Sequence, residues 1–279
     1  MFQKLSNSWQ LVKASAQVLR ADKELIVFPM ISGVALFLVS ATFFLPLFFL
    51  GNGFEMPEEG AEFLAYIGLF LFYVVQYTVI FFFNSALVGA AMIRLNGGDP
   101  TVGDGLRIAW QHLGAILQYA LIAATVGMLL RTAKERGGTL SKMVISLVGM
   151  AWNLATFLVV PVLVTRNVGP LEAIRESASV LKKTWGEQIV GNAGIGFVFG
   201  VLAFLLTIVF IPTLILIGVT GQVFLFGPVI VAFIVAYLGL GLISATLSGI
   251  YAAALYRFAT EGDSGQFDTH LLQGAFRPA

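Results

Sequence analysis

The chain has 279 residues, 58% of them hydrophobic and only 11% charged, with a formal net charge of +1. An ordinary soluble domain carries roughly 25% charged residues, so the composition excludes a conventional water-soluble fold. The near-neutral balance excludes the basic surface that nucleic acid requires. The absence of cysteine excludes disulfides, thiol nucleophiles and thiolate metal sites.

In chain order, the first 24 residues contain Lys4, Lys13, Arg20, Asp22, Lys23 and Glu24. A secretory signal places a short apolar run and a small-residue cleavage site in such a segment, so no cleaved signal is expected. "WQLVKASAQVLR" (9–20) reads instead as an amphipathic helix. An apolar block over 26–50 follows, then the loop "GNGFEMPEEGAE" with Glu55, Glu58, Glu59 and Glu62. Calcium needs about six to eight positioned oxygens, so these carboxylates read as a solvated loop without metal.

The next apolar block, 63–93, ends in "MIRLNGGDP", and "DGLRIAWQHL" (104–113) is a second amphipathic stretch. The third block, 113–130, is the shortest and is followed by the basic "RTAKERGGTLSK". The fourth, 143–165, ends in "LVTRNVGP". Then comes "GPLEAIRESASVLKKTWGE", in which Leu171, Ile174, Ala178, Leu181 and Trp185 recur at helical spacing. Pro170 suits a first helical turn, and Glu172 near the start with Lys182 and Lys183 near the end matches the helix dipole. Gly186 supplies a stop. Blocks 189–219 and 223–258 complete the apolar set. In the tail, "FDTHLLQGAFRPA", Phe267, Leu271 and Phe276 are expected to dock a short final helix.

A helix needs about 20 apolar residues to cross a bilayer core, so the six blocks predict six spans. The second, fifth and sixth are overlong and must tilt, kink or project, with Pro212 and Pro228 as kink points. Of the 16 Lys and Arg, only Arg131, Lys134, Arg136 and Lys142 fall on the side opposite the N-terminus. The other 12 share its side, which predicts both termini in the cytoplasm of a cell (inner) membrane protein.

The amphipathic stretches repeat. Residues 9–20 overlay 171–182 without a gap, with Ser15/Ser177, Ala16/Ala178, Val18/Val180 and Leu19/Leu181 identical, and "DGLRIAWQHL" overlays "EAIRESASVL". Spans two, four and six each end in an arginine, Arg94, Arg166 or Arg257, placed to meet the helix dipole and snorkel to lipid phosphate. The fold expected is therefore all-α: one membrane domain over 1–279, built as a polytopic bundle of six transmembrane helices. It divides into three parallel repeats of cytoplasmic amphipathic helix plus hairpin, over 4–94, 101–166 and 170–258, with a cytoplasmic tail over 259–279.

Three stretches, "SNSWQLVKASAQVLRADKELIVFPMISG", "AWNLATFLVVPVLVTRNVGPLEAIRESASVLKKTWGEQIVGN" and "GIYAAALYRFATEG…FDTHLLQGAF", resemble an uncharacterised family of prokaryotic six-span membrane proteins. That family is distantly similar to the membrane domain attached to some glycerophosphodiester phosphodiesterases. The resemblance implies a fold and no activity, because the family has no assigned reaction, and none of the phosphodiesterases' catalytic residues carries over to this sequence.

No ionisable residue falls near the middle of a span, where such groups mark proton relays and ion paths. The neutral polar residues Gln76, Asn84, Asn153 and Asn192 either bond helix to helix or line a path for a polar solute. "GFVFG" (196–200) and Ala245/Gly249/Ala253 place small residues four apart, which favours close internal packing. His112, at a helix–membrane junction, reads as an interfacial hydrogen bonder. Lys13, Arg107, Arg175 and Trp185 mark the collar formed by the amphipathic helices. No catalytic triad, phosphate loop or metal-ligand spacing is present, and no cofactor is expected. The expectation is a non-enzymatic, lipid-interacting or partner-docking membrane scaffold, with a transporter or channel for a lipid-like solute as the alternative. Its partners are membrane lipids and a cytoplasmic or membrane protein, and not nucleic acid.

Overall fold

The computed structural model describes residues 2–49, 62–136, 138–185, 195–262, 267 and 269–273. Regular structure among them is helical throughout: α1 (Phe2–Ala21), α2 (Val27–Phe49), α3 (Glu62–Leu95), α4 (Val102–Gln111), α5 (Leu113–Arg136), α6 (Thr139–Ala155), α7 (Val159–Thr165), α8 (Pro170–Trp185), α9 (Ile195–Thr220), α10 (Phe226–Glu261) and α11 (Thr269–Gln273). Six stretches are long and apolar enough to cross a membrane: Lys23–Pro46, Tyr66–Leu95, Leu113–Glu135, Ser141–Thr165, Ile195–Thr220 and Val223–Glu261. The third, shortest in apolar sequence, is helical for 24 residues, about 36 Å of rise and a full crossing.

No more than 33% of the apolar window of any span is buried within the molecule. The packed core lies instead at one end of the bundle, in segments 85–91, 158–163 and 246–256 apart from Ser248. These are the final turns of the second, fourth and sixth spans. Each is clasped by a short helix: α3 by α4, α7 by α8, and α10 by α1. A Cβ on Gly105 of α4 would lie 2.4 Å from Phe28 Cζ and 2.7 Å from the Ala86 carbonyl oxygen of α3. Only glycine lets the two backbones approach this closely. Thr101 opens α4 with a capping box, its hydroxyl accepting from the Asp104 N–H while the Asp104 side chain accepts from the Thr101 N–H. The Thr101 hydroxyl also donates to Asp104 Oδ2 at 2.7 Å, and this bond, with the one from the Thr101 N–H, holds the Asp104 carboxyl below its ordinary pKa.

The fourth span is not one helix. It breaks at residues 156–158 between α6 and α7. Pro161 explains the position, because it has no N–H for the residue-157 carbonyl and its ring crowds that carbonyl. The break frees the Leu158 N–H, which donates to Ser177 Oγ of α8 at 3.0 Å in a fully buried setting.

Several expectations need correction. Pro212 lies inside α9, as a kink point requires, whereas Pro228 sits in the first turn of α10, where no hydrogen bond is lost. α8 buries Ala173, Ser177 and Leu181, whereas Leu171 is 62% exposed. A Cβ at Gly196 or Gly200 meets nothing within 4 Å, so the glycines of "GFVFG" face no neighbour among the described residues, although Val198 and Phe199 between them are buried, while Gly249 does abut Leu87 of α3. In the tail, Phe267 and Leu272 are buried and α11 lies on α1. Residues 55–59, Gly186 and Phe276 lie outside the described residues, as do the side chains of Glu62 and Leu271.

Candidate functional site

α3 is the central helix, touching α2, α4, α5, α7 and α10. One of its faces carries Tyr73, Tyr77 and Phe81, four apart and therefore aligned along the helix. Tyr77 stacks on Phe81 with centroids 5.7 Å apart, and Phe81 meets Tyr119 of α5 at 4.5 Å. One turn beyond stands Asn84.

Three clefts lie along this helix. The first, about 170 Å³, is lined by Tyr73, Tyr77, Gly127 and Arg131 among others. At its rim Arg131 donates to Tyr73 Oη at 2.6 Å and to Glu135 at 2.9 Å. The second, about 420 Å³, opens between α3, α5 and α6, with Asn84, Tyr119, Asn153 and Thr156 in its wall. The third, about 360 Å³, lies between α2, α3 and α10 and presents Ser32, Asn84 and Ser248. Tyr77 and Gly127 are common to the first two, and Asn84 and Phe157 to the last two. From Tyr73 to Leu87, the limits of the series on α3, the helix rises about 21 Å.

The structure thus brings together Asn84 and Asn153, two of the four polar residues singled out within the spans. Gln76 serves differently, donating to Ser40 Oγ at 2.8 Å and tying α3 to α2. Asn192 lies outside the described residues. Tyr77 and Ser248 join the site as further neutral polar residues of the spans, and Tyr119 and Thr156 join it without having been anticipated. Their sequence signal was weak, because hydroxyls in apolar helices commonly bond their own backbone, as Thr156 does to the Trp152 carbonyl at 2.8 Å. No Asp, Glu, Lys, Arg or His lines the second or third cleft. The walls therefore offer amide and hydroxyl hydrogen bonds on an aromatic and aliphatic background, without charge.

At the clasped end, Arg94 pairs with Asp99 at 3.2 Å, Arg166 with Glu176 at 3.0 Å and Arg257 with Glu261 at 3.3 Å. Arg257 Nη1 also donates to the Leu95 carbonyl at the end of α3, joining the sixth span to the second. Asp22 caps the turn at 23–26 by accepting from the Glu24 N–H at 3.2 Å, and Glu24 accepts from the Val102 N–H at 3.0 Å. Burial pushes the Asp22 carboxyl above its ordinary pKa. His112 Nδ1 donates to the Ile108 carbonyl at 2.9 Å, as its place at the α4–α5 junction suggested. Of the collar residues, Lys13 lies 5.9 Å from the Trp9 ring, and Arg107 pairs with Asp104 at 2.6 Å. Arg175 opens on a groove between α5 and α8. Trp185 ends α8, and its side chain is outside those described.

No curated protein and no solved structure matches the chain. A family of unknown function, DUF6159, matches residues 63–267. This region holds five of the six apolar spans and every cleft-lining residue except those of α2. The chain belongs to that family of unknown function, DUF6159.

Proposed function

We propose that the chain is a non-enzymatic, multi-pass protein of the inner membrane that holds a lipid-like, weakly polar molecule in its intramembrane clefts. The observation that carries this reading is that Asn84 and Asn153 line one open, uncharged cleft. Amides exposed to hydrocarbon are costly unless bonded. A guest with hydroxyl, carbonyl or ester groups on an apolar body satisfies them, and a charged guest finds no counter-charge there.

The architecture in this reading is three parallel units of collar helix and hairpin, with both termini cytoplasmic. Burial supports it independently of sequence identity. Under the overlays of the three collar helices, Leu11, Gly105 and Ala173 coincide, as do Ser15, Ala109 and Ser177, and all six are buried. The collar acts as the keystone of the core, and its exposed face, with Trp9, Lys13 and Arg107, is the side offered to a protein partner. The resemblance to membrane domains attached to some glycerophosphodiester phosphodiesterases belongs to the same reading and supplies no catalytic residue.

The test is lipid analysis of protein extracted into nanodiscs from its own membrane, comparing wild type with Asn84→Leu/Asn153→Leu. Enrichment of a neutral lipid over bulk membrane, lost in the double variant, is expected. Equal lipid profiles would overturn the reading. A second reading, a transporter or channel for such a solute, is favoured by the serial arrangement of the three clefts. Accelerated lipid-probe movement across proteoliposomes, abolished in the same variant, would support it, and a passive vesicle rate would exclude it.

A further inference from the structure

The groove between α5 and α8 has a volume of about 600 Å³ and is lined by Gln118, Leu121 and Ile122 of α5 and by Leu171, Glu172 and Arg175 of α8. Its chemistry is mixed in an ordered way. Leu171 is 62% and Leu121 45% exposed, and the apolar lane continues along α5 through exposed Leu129. Beside that lane stand a cation and an anion. Glu172 and Arg175 are one helical turn apart on the same face, the spacing at which Asp104 and Arg107 of α4 pair at 2.6 Å. In α8 they do not pair. The ion pairs among the described residues join Arg94–Asp99, Arg107–Asp104, Arg131–Glu135, Arg166–Glu176 and Arg257–Glu261, and none includes Glu172 or Arg175.

A free cation and a free anion set about 4.5 Å apart along a helix axis, next to an apolar lane, match one class of ligand. We propose that this groove binds a single zwitterionic phospholipid of the ethanolamine type. Its phosphate takes charge-assisted hydrogen bonds from Arg175 and a hydrogen bond from the Gln118 amide. Its ammonium donates to Glu172, and its acyl chain lies along Leu121 and Leu129. The two-carbon ethanolamine link sets phosphate and ammonium a comparable distance apart. A purely anionic headgroup meets the repulsion of Glu172, and a trimethylated choline has no N–H to donate to it. The site depends on the collar lying at the membrane face, as proposed above, and is independent of the cleft at Asn84.

Native mass spectrometry of the full chain in detergent, titrated separately with dioleoyl phosphatidylethanolamine, phosphatidylcholine and phosphatidylglycerol, tests this. Wild type should retain the ethanolamine lipid about tenfold more tightly than either other lipid. Arg175→Gln should lose about that factor, Arg175→Lys should keep part of it, and Glu172→Gln should bind ethanolamine and choline lipids equally. Lys134→Gln, remote on α5, should change nothing. A wild-type preference for phosphatidylglycerol, or no preference at all, would overturn the proposal. So would unchanged ethanolamine-lipid binding in Glu172→Gln, which decides the matter even if Arg175→Gln fails to fold. Asn84→Leu/Asn153→Leu should keep ethanolamine-lipid binding, so equal lipid profiles of wild type and that variant reject the cleft alone and leave the groove standing.

Discussion

Replacing Ser177 by alanine removes the hydroxyl that accepts the Leu158 N–H at 3.0 Å, where Ser177 and Leu158 are both fully buried. The amide has no alternative, because the helix breaks there and water is excluded. Leaving such a donor unpaired costs about 1–3 kcal/mol, and losing one oxygen atom leaves too small a void to add much. Ser15, which overlays Ser177 in the first collar helix, provides the internal control. Its hydroxyl is equally buried but has no hydrogen-bond partner among the described residues, so Ser15→Ala removes a desolvated polar group and should be neutral or stabilising by up to about 1 kcal/mol. The same substitution at matched positions is thus expected to have opposite signs. Unfolding in mixed detergent micelles with increasing dodecyl sulfate, followed by tryptophan fluorescence, measures both. Hydrogen exchange at the Leu158 amide should accelerate in Ser177→Ala and not in Ser15→Ala. Equal stabilities for the two variants, with Leu158 exchange unchanged, would refute the role of α8 in holding the broken span.

Gly105→Ala places a methyl 2.4 Å from Phe28 Cζ and 2.7 Å from the Ala86 carbonyl oxygen, and backbone cannot swing away as a side chain can. A loss of about 1–3 kcal/mol is expected in the same unfolding assay, whereas Gly200→Ala, with nothing within 4 Å, should gain up to about 1 kcal/mol from helix propensity. Asp22→Asn keeps the oxygen that caps the Glu24 N–H and removes a charge whose burial raises the native pKa above 3.8. In the window above 3.8 the native state then binds more protons than the unfolded state, so wild-type stability falls as pH rises through the raised pKa. The variant lacks that fall: its advantage should be present at neutral pH and vanish below pH 3.8, and an advantage that grew on acidification would contradict the assignment.

The six spans were legible because hydrophobic length is a strong signal in a membrane, and the described helices follow the apolar blocks within a few residues at most ends. The meeting of Asn84 with Asn153 was half-legible: polar residues in spans stood out, but composition alone does not sort Asn84, which lines the clefts, from Gln76, which bonds Ser40. What periodicity does not carry is the identity of the neighbour. Apolar spacing on α8 marked a stripe facing either membrane or core; Leu181 of it is buried and Leu171 exposed, and the buried face also takes Ala173 and Ser177. The identity of Ser15 and Ser177 was visible in the sequence, but only the break at 156–158 shows what one of them is for. Pro161 was likewise visible, and its effect was hidden because the apolar run continues unbroken through it. The small-residue pattern in "GFVFG" shows the converse, a spacing suited to close packing at two glycines that nothing among the described residues approaches.

The claim on which the account turns is that the clefts at Asn84 hold a guest. A cryo-EM map of the chain in nanodiscs formed from its own membrane, with a rigid fiducial to aid alignment, tests it most directly. The account predicts elongated non-protein density between α3, α5 and α6, in contact with Asn84 and Asn153. A map in which α6 closes on α3 and side chains fill the space would contradict it.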